Sequence, residues 1–339
     1  MAEKSTGTLV TIDIGSGTVA VRFRTGATTT TRRVSFQASP EAEFPEFLTA
    51  ITHTLTKALN EVQKEHGAMK HPITTAVSIG APWYVVKVKN TIIEENRGTR
   101  FDGAKVAALI QKASKAFLEA GVGELGDDAV IIERDPLAII ENGYPVIRPI
   151  TATVTDATVS LAITASSKAF VEGVRQAIDR SFASQTFHMA TRLKTSWEAI
   201  RNTPLYGHSL LCIEAGSEVT TIALSVEGLL SHVNIVPVGM RSVGGTLNQK
   251  TTPAAWQKAV TSVFHEFSCE YLLPPYVLVS AHPEVLKNAM EALEGVLSKE
   301  PFAFTPQVLS LAETLGVPEG EDRWITLLER LVHSDVRGR

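Results

Sequence analysis

Apolar positions along this chain change period several times, and each change marks an element. Leu9-Val10-Thr11-Ile12 runs into Asp13-Ile14-Gly15-Ser16-Gly17-Thr18, and Val19-Ala20-Val21 follows. Two β-branched runs around a tight Gly-Ser-Gly-Thr turn predict a β-hairpin. Thr28 to Phe36, rich in Thr and Val, predicts a third strand. Ser39-Pro40-Glu41 breaks the pattern. Phe44, Phe47, Leu48, Ile51, Leu55, Leu59 and Val62 then recur at helical spacing, which predicts an amphipathic helix over 44–65 closed by Gly67.

Ile73 to Ile79 reads as a strand, and Trp83 to Lys89 with Ile92 and Ile93 as paired strands. Arg97-Gly98-Thr99-Arg100 reads as a polar turn. Asp102 caps a second helix whose buried face is Val106, Leu109, Ile110, Ala113 and Phe117. Val130-Ile131-Ile132 and Ala138-Ile139-Ile140 predict short strands around Asp135-Pro136, with a turn at Asn142-Gly143. Residues 73–150 therefore read as a strand–helix–strand unit with a sheet of its own. Thr151 to Ala165 is strand-like. Ser166 and Ser167 can cap a helix carrying Phe170, Val174, Ile178 and Phe182, and a further helix is assigned Met189, Leu193, Trp197 and Ile200.

The first hairpin has a second copy. Leu210-Leu211-Cys212-Ile213-Glu214-Ala215-Gly216-Ser217-Glu218-Val219-Thr220-Thr221-Ile222 aligns with it without a gap; Leu, Ile, Gly and Ser recur, and Glu stands for Asp. Two strand–acid–x–Gly–Ser–strand units this far apart predict a duplicated architecture. Val233 to Val238, a glycine-rich run from Gly239 to Thr246, a helix from Thr252-Pro253 carrying Trp256, Val260, Val263, Phe264 and Phe267, a strand over Tyr276–Ser280 and a helix opened by Pro283 follow. Trp324, Ile325, Leu327, Leu328, Leu331 and Val332 form an apolar stripe flanked by Arg323, Arg330 and Arg337. A helix lying on a membrane surface has this pattern. A last helix packed on the core has it too, and is preferred because Glu321, Asp322 and Glu329 weaken attraction to anionic lipid.

A chain of 339 residues exceeds one ordinary core, so two lobes are expected. With 44% hydrophobic and 20% charged residues it is a folding sequence, and a net charge of -4 points to neither nucleic acid nor an anionic membrane. Two cysteines, Cys212 and Cys269, exclude a disulfide framework and suit a reducing compartment. The polar start, Met1 to Gly7, and the absence of a membrane-length apolar run predict a cytoplasmic protein whose membrane contact is at most peripheral. His53 and His66 lie at no metal-binding spacing.

The candidate chemistry sits in the two turns. Gly15 and Gly17 permit the close approach an oxyanion needs, and Asp13 stands where a strand ends, placed to hold a hydrated Mg²⁺ through water. Two such hairpins facing each other across a cleft would clasp a polyphosphate from both sides.

These residues resemble the actin-like ATPase superfamily of actins, Hsp70 chaperones and sugar kinases. Asp13 to Thr18 is similar to its first phosphate loop, Glu214-Ala215-Gly216-Ser217 to its second, and Val277 to Ala281 to its adenosine strand. The element order looks most like the FtsA and PilM type, with an inserted strand–helix–strand (SHS2-like) unit and a Val236-Pro237-Val238-Gly239-Met240 segment after the second loop. The resemblance implies an α/β, ribonuclease H-like two-lobed fold: first lobe 1–72, insertion 73–150, end of the first lobe and connecting helices 151–205, second lobe 206–320, C-terminal amphipathic helix and tail 321–339. It implies ATP and Mg²⁺ as cofactors, with Asp13 on the metal, Gly15, Ser16, Gly17 and Thr18 around the phosphates, Glu214, Gly216 and Ser217 opposite, and Ser280 and Ala281 near the adenosine. It implies partners bound through the insertion, a division filament protein or the short tail of a pilus membrane protein, and possible self-association.

The departures bear on chemistry. Glu214 adds a methylene, Ser217 and Glu218 stand for glycines, Thr221 for the later acid, and Thr18 for a lysine that would neutralise phosphate. The adenosine loop reads Ala281-His282-Pro283 without its glycine pair. Leu247 to Pro275 is too short for the usual second-lobe subdomain, so a reduced second lobe is expected. His188-Met189-Ala190 offers no water-orienting acid. Three readings stay open: a scaffold with weak ATP binding, an ATPase or phosphotransferase, and a body whose two loops are purely structural.

Overall fold

The computed structural model describes residues 7–36, 44–67, 69–122, 125, 128–134, 136–146, 152–240, 253–298, 302 and 304–337. The first hairpin forms as the sequence predicts, β1 (Thr8–Ile14) antiparallel to β2 (Thr18–Thr25), and β3 (Thr28–Ser35) pairs with β2. Helix α1 (Phe44–His66) buries Ile51, Leu55, Leu59 and Val62, the face its periodicity assigns. β4 (Ile73–Ile79) lies parallel to β1.

The inserted unit follows: β5 (Val85–Phe101), α2 (Gly103–Glu119), β6 (Ala129–Glu133), β7 (Pro136–Glu141), β8 (Tyr144–Val146) and β9 (Ala152–Ser167). Asp102 caps α2 by accepting from the Lys105 N–H at 3.0 Å. Alternate residues of β9 (Val159, Leu161, Ile163) pack with Phe101, Val106 and Phe117 in a core of their own. The residues between them turn to the lobes: Ala162 joins the main core, and Ser166 Oγ donates to the Trp83 carbonyl at 2.6 Å. Next come α3 (Lys168–Ser181), β10 (Thr186–Thr191) and α4 (Arg192–Ile200).

The second copy gives β11 (Leu210–Ala215) antiparallel to β12 (Thr220–Val226), then β13 (Leu229–Val236), α5 (Pro253–Ser268), β14 (Tyr276–Ala281), α6 (Pro283–Leu297), β15 (Gln307–Ser310), a short α7 (Leu311–Thr314) and α8 (Arg323–Arg337). The two lobe sheets have the same plan, β3-β2-β1-β4-β10 and β13-β12-β11-β14-β15. In each the hairpin is antiparallel and the strands beyond it are parallel. The duplication read from two short turns thus extends over whole sheets. Among the described residues one helix, α5, lies between β13 and β14, in keeping with the expected reduction.

Three local readings change. Residues 97–100 lie within β5: Thr99 and Arg100 resume pairing with β9 after a register shift from Glu94, with Gly98 at positive φ in the irregularity. Met189 stands on β10, whose pairing with β4 overrides the helical spacing, and the helix starts at Arg192. The inserted sheet runs from β5 to β9, so β4, at the start of the 73–150 unit, belongs to the first-lobe sheet, and β9, beyond its end, to the inserted one. Extended pairing crosses boundaries that composition alone suggests. Arg241 to Thr246 of the glycine-rich run, and Ser39-Pro40-Glu41, lie outside the described residues.

Helix α8 buries Trp324, Ile325, Leu327, Leu328 and Val332, the stripe that also suited a membrane surface. Leu328 and Val332 rest on Ala76 and Ala190. Residues of both lobes, Ile12 and Leu193 with Ala223, Leu278 and Trp324, share one continuous apolar core. Among the described residues no helix is long and apolar enough to cross a membrane.

Candidate functional site

Both turns form by the same backbone bond. The Gly15 N–H donates to the Thr18 carbonyl at 2.8 Å, and the Gly216 N–H to the Val219 carbonyl at 2.9 Å. The turns meet: the Glu218 N–H donates to Ser16 Oγ at 3.0 Å, and a Cβ on Gly216 would lie 3.2 Å from the same oxygen. Around this contact opens a cleft of about 1520 Å³. Gly15, Ser16, Thr18, Glu214, Gly216, Ser217, Ser280 and Ala281 line it; Gly17 does not, and its carbonyl accepts from the Phe36 N–H at 3.0 Å. Pairing of β14 with β11 puts Ser280 beside Glu214 and Ala281 beside Ala215. The topology thus brings the candidate residues from both lobes into one crevice.

Asp13 lies beneath the cleft wall, fully buried. Its carboxylate accepts from Arg192 at both oxygens, Nε to Oδ1 at 2.8 Å and Nη2 to Oδ2 at 2.9 Å. Arg33 Nη2 adds a third bond to Oδ2 at 3.1 Å and reaches Asp322 Oδ2 at 2.5 Å, while its Nη1 donates to Thr18 Oγ1 at 2.6 Å. The remaining nitrogen of Arg192, Nη1, donates to Glu214 Oε1 at 2.6 Å. One guanidinium therefore joins the acid of the first turn to the acid of the second. The Trp324 ring covers it, with the centroid 5.0 Å from Cζ. Burial opposes the charge on Arg192, but Asp13, and after it Glu214, outweigh burial and hold its pKa above the ordinary value. Burial, with Arg192 adding to it, pushes Arg323 down to about 10. Burial also opposes ionisation of Asp322, yet Arg33 outweighs it and lowers that pKa.

Where the sequence suggested a missing cation at Thr18, the structure places two arginines, Arg33 from the neighbouring β3 and Arg192 from far along the chain, both engaged by carboxylates. Only the structure makes Arg192 the first residue of α4, where the helix dipole disfavours a cation unless carboxylates compensate it. Arg33 sits in the Thr-rich run and carries no motif. Glu133 was also missed. This buried carboxylate of β6 accepts from the Thr191 N–H and Oγ–H, both at 2.7 Å, and so fixes the residue before Arg192. Burial raises its pKa, against Lys194 and the Thr191 bonds.

A hydrated Mg²⁺ on Asp13 does not fit this arrangement. Both carboxylate oxygens already take charge-assisted bonds, and an added divalent cation would face two guanidiniums. Among the described residues no group of three or more His, Cys, Asp and Glu could hold a metal ion.

The topology and the paired turns define an actin-like ATPase fold. The chain resembles a chain of the PilM-PilN type IV pilus biogenesis complex, with 12% identity, TM-score 0.58 and coverage of 96% of this chain and 94% of that one. It also resembles a Bacteroides thetaiotaomicron protein described as having an actin-like ATPase fold and unknown function, with 8% identity, TM-score 0.51 and coverage of 97% and 98%. At these identities the fold is what is shared. No protein-family model and no curated protein matches the sequence.

Proposed function

We propose that the chain is a non-catalytic actin-like scaffold, a cytoplasmic platform that presents its inserted sheet to a protein partner of a membrane-associated, pilus-type assembly. The distribution of exposed apolar side chains carries this reading. Ile92, Leu118 and Tyr144, at 66%, 40% and 74% exposure, stand on the inserted unit, half of the large exposed apolar side chains among the described residues. Tyr144 lies on β8, an end strand of its sheet. Ile92 lies on β5, the opposite end strand, so both ends of the sheet carry an exposed apolar group, which favours protein contact. The likeness to a chain of a two-protein pilus complex supports the same reading.

The cleft supports the non-catalytic part. Phosphoryl transfer needs a group to position the nucleophile and free cations around the phosphate. Here Asp13 and Glu214 are both engaged by Arg192. The test uses the purified chain and the cytoplasmic tail of a membrane protein encoded beside it. The expected result is binding that Ile92→Asp with Tyr144→Asp abolishes without moving the melting temperature, and no phosphate release from Mg-ATP. Binding indifferent to both substitutions, or steady phosphate release, overturns the proposal.

A further inference from the structure

The acids of the two turns and the guanidinium between them form a closed unit. We infer that Arg192 is a built-in cation occupying the place of a metal ion, so that the two lobes are clasped without a metal–nucleotide. This inference concerns the cleft and stands apart from any partner of the inserted sheet.

Three independent observations converge on it. The first is the bonding: Arg192 spends its Nε and Nη2 on Asp13 of the first lobe and its Nη1 on Glu214 of the second, at 2.6 to 2.9 Å. A bidentate guanidinium and a divalent ion can both bridge paired carboxylates, but the guanidinium is tethered to the chain and only weakly hydrated. The second is space. A Cβ on Gly15 would come within 2.6 Å of Arg192 Nη2, and one on Gly80 within 2.9 Å of Nη1. The missing side chains that could admit an oxyanion admit the guanidinium instead. The third is charge. The cleft lining sets five arginines against six carboxylates, which leaves no positive surplus to attract a polyphosphate.

If Arg192 stands in for a metal, removing it should uncover a metal site. The test titrates Mn²⁺ alone, read by electron paramagnetic resonance, into the wild-type chain, Arg192→Ser, Arg192→Lys and Arg192→Ser with Asp13→Asn. The expected result is no saturable Mn²⁺ in the wild type or in Arg192→Lys, which keeps a tethered charge. Arg192→Ser should gain one site per chain and lose it again with Asp13→Asn. The wild type should show no change in melting temperature with Mg-ATP. Saturable Mn²⁺ or Mg-ATP binding by the wild type overturns the inference. A folded Arg192→Ser without a metal site also overturns it. Should Arg192→Ser fail to fold, wild-type and Arg192→Lys chains that both exclude Mn²⁺ and Mg-ATP support it, and uptake by Arg192→Lys overturns it.

Discussion

Ser16 Oγ accepts the Glu218 N–H at 3.0 Å across 202 residues of sequence, and at this bond the two lobes touch turn to turn. Ser16→Ala should remove about 0.5–1.5 kcal/mol of stability, the usual net value of one such bond. Urea unfolding measures it; no change would mean that the contact does not form in solution.

Gly15 and Arg192 should be energetically coupled. The guanidinium is held by two carboxylates and cannot swing aside, so a methyl at position 15 must displace the ion pair or the backbone. Gly15→Ala should cost about 1–3 kcal/mol in the wild type, as overpacking does, and clearly less in an Arg192→Ser background. A double-mutant cycle by chemical denaturation decides it, and strict additivity would place Arg192 away from the turn.

Two buried carboxylates should give opposite pH dependences. Glu133 has a raised pKa in the folded chain, so its contribution is full below the ordinary value and fades as pH rises. Glu133→Gln should therefore destabilise more near pH 4 than at pH 7. Asp322 has a lowered pKa, so its contribution is present at neutral pH and is lost as pH falls below the ordinary carboxylate range. Asp322→Asn should cost more at pH 7 than in acid. Both differences are read from melts across the acid range.

Helix α8 is part of the core. Trp324 packs with Leu193 and Leu327 and covers Arg192, and Glu329 accepts from Thr11 at 3.2 Å. Trp324→Ala should cost about 3–5 kcal/mol, as truncation of a buried aromatic does. A chain ending at Asp322 should lose its cooperative melt. A truncated chain that melts as before but no longer binds anionic vesicles would return α8 to the membrane-surface reading.

Strands and helices whose apolar residues keep one period were legible before any fold was known, and so was the duplication, because a strand–acid–x–Gly–Ser turn is written in consecutive residues. Leu55 and Leu59 had to face a core wherever α1 lay. The periodicity of Met189 misled because β4 was waiting beside it, and the 97–100 turn became an irregularity within β5, with β9 pairing on either side; neither neighbour is visible locally. The cleft's occupant belongs to tertiary structure alone. Asp13 and Arg192 are 179 positions apart, and ion pairing depends on which side chains the topology brings within 3 Å, not on their order. An acid beside a glycine turn is equally suited to a hydrated metal or a guanidinium. Packing of α4 and β6 against the first sheet set Arg192 there.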